Sequence, residues 1–131
     1  MLINVLIKTD SHYRVNRERI RNTISSLLAE KKVRGEVEVS VMVVGDRLMR
    51  KLNNEYRKLD KTTDVLSFPL SSEEGKISFV DAPDHILRLG DIVLSYPQAV
   101  DAAGEENMLV DDKIDELAEH GLLHLLGYHH D

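Results

Sequence analysis

Glu119-His120-Gly121-Leu122-Leu123-His124-Leu125-Leu126-Gly127-Tyr128-His129-His130-Asp131 is the stretch whose reading decides the rest. Four of the chain's six histidines sit here, and three of them follow the spacing H-x-x-x-H-x-x-G-x-x-H. Two histidines four apart on a helix lie one turn above each other on one face, so both imidazoles reach a single ion. Gly127 is where that helix should stop, because glycine enters the left-handed region without steric cost. The chain then folds back to offer His130 as a third nitrogen. Three histidines and an open fourth position describe a catalytic rather than a structural zinc site, which points to metal-assisted hydrolysis. Histidines at a helix end also complement its dipole, and terminal histidines are sometimes purification tags. A tag, however, would be an uninterrupted run, and these are interleaved with leucines and a glycine.

The motif is as informative in what it lacks. Zinc proteases of the H-E-x-x-H type carry a glutamate after the first histidine as general base. Here that position is Gly121. Glu119, on the other side, lies about 100° round the helix from His120 and cannot simply substitute. Peptidase chemistry is therefore the weaker expectation.

At 131 residues and 14.9 kDa the chain, 1–131, reads as one hydrolase domain with a single core. Its 42% apolar and 31% charged content are those of a soluble globular protein, and no apolar stretch approaches a membrane span. The amino end is too soon interrupted by Asn4 and Lys8 for a secretory signal. With no cysteine, neither disulfides nor thiolate ligands exist, which suits a cytoplasmic location. The net charge of −6 hides a split: residues 1–61 hold 14 of 17 Lys+Arg and sum to +6, whereas residues 62–131 sum to −12. A basic half beside an acidic, metal-binding half suits a phosphate-backbone substrate together with a divalent cation. The same charges could equally do no more than solvate helix faces.

Along the chain, residues 2–8 alternate as a strand with Ile3, Val5 and Ile7 on one face. Asn16 should cap a helix to about Lys31 with Ile20, Ile24, Leu27 and Leu28 as its apolar stripe. Val37, Val39, Val41 and Val43 mark a strand over 36–44. Asp46 is expected to cap a second helix through about Arg57, with Leu48, Leu52 and Tyr56 towards the core and Arg47, Arg50, Lys51 and Lys58 on or beside it. Residues 65–68 form a short strand stopped by Pro69. Residues 71–88 read as a long surface loop carrying His85, with a short arm at 77–80, which could wall the cleft. His85 and His12 are expected to be solvated. A central strand over 90–95 precedes a short helix opened by Pro97. A long helix from about Leu109 to Leu126, burying Ile114, Leu117, Gly121, Leu122 and Leu125, closes the order. The expected fold class is α+β, a mixed sheet packed by helices with the metal-binding helix last.

Two further segments carry a family resemblance. Asn53-Asn54-Glu55-Tyr56-Arg57-Lys58-Leu59-Asp60-Lys61-Thr62-Thr63-Asp64-Val65-Leu66-Ser67-Phe68-Pro69 and Leu89-Gly90-Asp91-Ile92-Val93-Leu94-Ser95, with the histidine motif, closely resemble the YbeY family of bacterial metal-dependent endoribonucleases. The resemblance implies a zincin-like fold and one zinc ion held by His120, His124 and His130. It implies that Arg57 acts with the metal at the substrate. It also implies cleavage of single-stranded RNA in ribosomal RNA maturation, with ribosomal RNA or the small subunit as partner. Family members usually carry aspartate where this chain has His129, which leaves His129 beside His130 as an alternative third ligand. They also usually run on in a charged tail, where this chain stops at Asp131, and that suggests a shortened sequence.

The mechanism expected from these residues joins a metal on His120, His124 and His130 to Arg57, whose planar fork meets the non-bridging phosphate oxygens as charge builds. Outside the resemblance, Arg57 reads as an ordinary surface arginine. Asp64 and Asp91 are candidates for the base, each equally readable as a buried capping or ligand-orienting carboxylate. Two other functions compete. A small zinc metalloprotease accounts for the histidines but not for Gly121. A ribosome-associated binding module with a structural metal accounts for the charge split but not for the open fourth position.

Overall fold

Alternating valines build the centre of the sheet. In β2 (Glu36–Val44) Val37, Val39, Val41 and Val43 are buried, while Glu36 is exposed and Glu38 and Ser40 are half-buried. β1 (Leu2–Thr9) runs parallel to it, Ile3 opposite Val37 and Val5 opposite Val39. β4 (Ile86–Ser95) lies parallel on the other side of β2, and β3 (Val65–Pro69) closes the edge antiparallel to β4, giving the order β1-β2-β4-β3. The chain is a mixed α+β structure. The computed structural model describes residues 2–10, 12–70 and 85–128. The expected arm at 77–80 lies outside them, as does most of the loop expected over 71–88.

Among the described residues four helices cover the sheet. α1 (Arg17–Glu30) is capped as expected, the Asn16 side chain accepting from the Arg19 amide at 3.0 Å, and it buries Ile20, Ile24, Leu27 and Leu28. With α4 (Val110–Leu125) it packs on one face of the sheet, where Val39, Val41, Ile92, Leu94, Leu117 and Leu122 join a single core. Each such side chain contributes roughly 1.5–3 kcal/mol by leaving water. Arg19 ties the two helices together through Asp115 at 2.6 Å and through Asp112. α2 (Asp46–Arg57) packs on the other face over a smaller core of Met49, Leu66 and Val93, and α3 (Tyr96–Glu105) follows β4 directly, capped by Ser95.

The structure departs from the expected elements in β4 and in α2. β4 begins at Ile86, four residues before the expected Gly90. Leu87 and Leu89 are buried on either side of exposed Arg88, and the register shifts between Glu38 and Val39, where Gly90 meets Val39. The glycine marks an irregularity within the strand, not its start.

In α2 only Leu52 of the expected inward row packs against the core. Leu48 is 40% and Tyr56 63% exposed, whereas Met49 and Asn53 are fully buried. The inward row includes two polar residues, Asp46 and Asn53, so counting apolar side chains alone picked the neighbouring row. Gly45, not Asp46, is the cap residue. The Asp46 carboxylate instead accepts from Thr62 and Ser95, each at 2.8 Å, and from Gln98 at 3.2 Å. Asn53 donates to the Lys61 carbonyl at 2.8 Å. Together they tie the segment 58–64 back onto α2.

Candidate metal centre and its cleft

α4 is built to deliver its two histidines. Asp111 and Asp112 in its first turn complement the helix dipole. Ile114, Leu117, Ala118, Gly121, Leu122 and Leu125 bury one stripe, and His120 and His124 follow the adjacent one. Gly127 then ends the helix at φ 92°. The Gly127 amide donates to the His124 carbonyl at 3.0 Å, and the Tyr128 amide to that of Leu123 at 2.9 Å. This is the crossed pair of bonds that closes a helix through a left-handed residue.

The two imidazoles stack, with centroids 4.7 Å apart and planes 17° from parallel, and their Nε2 atoms are 3.0 Å apart. Nearly parallel rings direct their ring-nitrogen lone pairs side by side rather than at each other, which suits a shared third atom better than a bond between them. Two nitrogens on one tetrahedral zinc would stand about 3.3 Å apart. The donor set therefore fits a nitrogen-ligated ion. Among the described residues no group of three or more His, Cys, Asp or Glu could hold a metal. His130, expected as the third ligand, and its neighbour His129 lie outside them.

His120, Gly121 and His124 form one wall of a cleft of about 420 Å³, and Thr63, Asp64, Val65, Leu66, Ser67 and Arg57 form the rest. Arg57, the last residue of α2, thus shares a cavity with both histidines although more than sixty positions separate it from them in sequence. Among the described residues it has no ion-pair partner.

Gly121 explains the missing glutamate. A Cβ there would lie 2.6 Å from Ile92 Cγ2 and 3.4 Å from Val65 Cγ2, so the helix presses on the sheet where a side chain would have to sit. Glu119 lines a separate polar groove with Asn16, Arg19 and Glu30. Burial, then the charges of Asp115, Glu30 and Glu116, push its carboxyl pKa up.

The two base candidates separate. Asp64 lines the cleft, and its carbonyl accepts from the Ser95 amide at 2.9 Å. Asp91 pairs with Phe68 in the register and alternates with Ile92, which faces α4, so Asp91 lies on the α2 side of the sheet, away from the histidines. That removes it from both roles considered for it. Ser67 and Thr63 were not foreseen as cleft residues. Ser67 had a signal, since it alternates with Leu66 and Phe68 on β3 and shares the Val65 face. His12 and His85 are exposed as expected, His12 bonded to Asp10 at 2.6 Å.

The sequence profile described as endoribonuclease YbeY matches residues 6–131. The chain belongs to the endoribonuclease YbeY family. It is 34% identical over 135 residues to the endoribonuclease YbeY of Dehalococcoides mccartyi strain BAV1, covering 99% of this chain and 84% of that one. It is 44% identical over 98 residues to that of Anaeromyxobacter sp. strain Fw109-5, covering 75% of this chain but 46% of the relative. Its fold is similar to the solution structure of TM1509 from Thermotoga maritima, with TM-score 0.57 and 28% identity over 99% of this chain and 75% of that one. The YbeY family profile spans every element that forms the cleft.

Proposed function

We propose that the chain, as one hydrolase domain over 1–131, is a zinc-dependent endoribonuclease that cuts single-stranded RNA. Its mixed sheet would be of the zincin-like kind, with one ion held by His120, His124 and His130. The reading extends to ribosomal RNA maturation at the small subunit, in the cytoplasm. One observation carries it: Arg57 and the stacked pair His120–His124 line the same cleft. An arginine fork beside a nitrogen-ligated metal position suits a phosphodiester and has no evident use for a peptide bond.

When bound, zinc supplies a Lewis acid and lowers the pKa of a coordinated water towards about 7. The chain's own groups do the rest. Arg57 meets the non-bridging oxygens with parallel N–H donors, so it stabilises charge that grows as the bond breaks. Its side chain is exposed at the cleft rim, where a flexible strand can reach it. His120 and His124 would hold the ion through Nε2, which would leave each Nδ1 to fix the ring's orientation. Among the described residues Asp64 is the carboxylate lining the cleft, and the proton leaving the nucleophile goes to it.

The protease alternative is weakened by Gly121, where packing against Ile92 excludes the side chain such chemistry uses. No helix among the described residues is long and apolar enough to cross a membrane. The deciding assay offers the zinc-loaded protein single-stranded RNA and casein in parallel. RNA cut and casein untouched is the expected result. Casein cut instead would return the protease reading, and RNA bound but never cut would favour a binding module.

A further inference from the structure

Tyr56, immediately before Arg57 on the last turn of α2, is a large ring left 63% exposed. It is not loose. Phe68 of β3 meets it edge-on, with centroids 4.8 Å apart and planes at 62°. Phe68 is itself half-buried against the small core of Met49, Leu66 and Val93.

The position relative to the cleft follows from the strand. Among the described residues β3 is the edge of the sheet, with Val65 and Ser67 facing the histidines and Leu66 and Phe68 facing α2. Tyr56 therefore stands round the edge strand from the cleft, and Arg57, which lines the cleft, is its neighbour in sequence. Burial does not account for a tyrosine there, because the core beneath is already closed by Phe68 and Leu52.

Two cations adjoin it in sequence. Arg57 and Lys58 follow Tyr56 directly, are exposed and have no ion-pair partner among the described residues. A buttressed aromatic face beside unpaired cations matches a single strand of nucleic acid, whose bases stack on rings and whose phosphates meet the charges. An apolar protein segment would gain nothing from the cations.

We propose that Tyr56 is a stacking platform for one base of single-stranded RNA, next to the phosphate engaged by Arg57. The proposal rests on the RNA-cleavage reading and deepens it. It gives the enzyme a preference for unpaired strands, because a base held in a duplex cannot swing out onto the ring.

The chain contains no tryptophan, so Tyr56→Trp introduces a single fluorescent reporter that keeps an aromatic face. The zinc-loaded variant is titrated with a short fluorophore-labelled oligoribonucleotide. Binding is followed by anisotropy of the label and stacking by quenching of the tryptophan, with inorganic polyphosphate as the charge-only probe. Quenching that tracks RNA binding and is absent with polyphosphate is expected. Tyr56→Ala should weaken RNA binding about tenfold, within the range measured for one base stacked on an aromatic ring. Tyr56→Phe should stay within about twofold, and neither should change polyphosphate affinity. RNA bound without quenching, or bound equally by Tyr56→Ala, would overturn the stacking role and leave the nuclease reading intact. Failure of the unsubstituted chain either to bind or to cut RNA would instead remove that reading and the platform together.

Discussion

Gly121 and Ile92 are in such close packing that a single added carbon on the glycine would stand 2.6 Å from Ile92 Cγ2. This contact lets α4 lie flat on the sheet and fixes the height at which His120 and His124 enter the cleft. Isoleucine is branched at Cβ and stiff about χ1, so it cannot swing aside cheaply. Gly121→Ala should therefore destabilise the protein by about 1–2 kcal/mol despite alanine's better helix propensity. Thermal unfolding by circular dichroism checks this, and an unchanged or raised midpoint would show that the contact has slack. Gly121→Glu, which recreates the protease motif, should fold poorly and acquire no peptidase activity.

Arg57 should separate metal binding from turnover. Arg57→Ala should lower the cleavage rate by roughly 100-fold or more, in line with the loss of a preorganised charge donor. Zinc content should not change, because the guanidinium lines the cleft but is no ligand. Metal analysis of the purified variant beside its kcat reads both at once, and zinc lost along with activity would make Arg57 structural.

Asp64 and Asp91 give a paired test of the sheet's two faces. Asp64→Asn should depress cleavage while leaving zinc content at the parent level. Asp91→Asn, on the α2 side, should leave zinc affinity within about threefold of the parent. Competitive chelator titration measures the latter, and a large loss of affinity would mean that Asp91 reaches a ligand histidine after all.

Asp46 couples stability to pH. Burial acts to raise its pKa, but hydrogen bonds from Ser95, Thr62 and Gln98 outweigh it and hold the carboxyl below its ordinary 3.8. The folded state therefore binds this proton less readily than the unfolded chain. Its contribution is full above about pH 4 and disappears as pH falls through the lowered folded value. Asp46→Asn should cost stability at pH 7 and progressively less below about pH 4. Denaturant midpoints across that range decide it, and a deficit as large at pH 3 as at pH 7 would remove the charge from the account.

The sequence announced some of this more clearly than the rest, for physical reasons. β2 and α1 follow their periods without interruption, and both were legible from Val37–Val43 and Ile20–Leu28. The end of α4 was legible because Gly127 does there what only an achiral residue does cheaply. α2 misled because polar Asp46 and Asn53 sit on its buried row, where only tertiary partners justify them. Ile86 was missed as the start of β4 because Gly90 interrupts the alternation. The histidine pair and Arg57 were each visible in sequence, but their meeting in one cleft depends on β3 lying between α2 and α4. The exclusion of Asp91 likewise depends on strand register, which one sequence does not fix.

The central claim is that His120 and His124 hold the metal on which RNA cleavage depends. The most direct measurement is cleavage of a single-stranded RNA by the zinc-loaded protein beside His124→Ala, with zinc content and circular dichroism recorded for both. The account predicts a folded variant that has lost its zinc and its cleavage together. A folded, zinc-free His124→Ala that still cuts the RNA at the parent rate would contradict it.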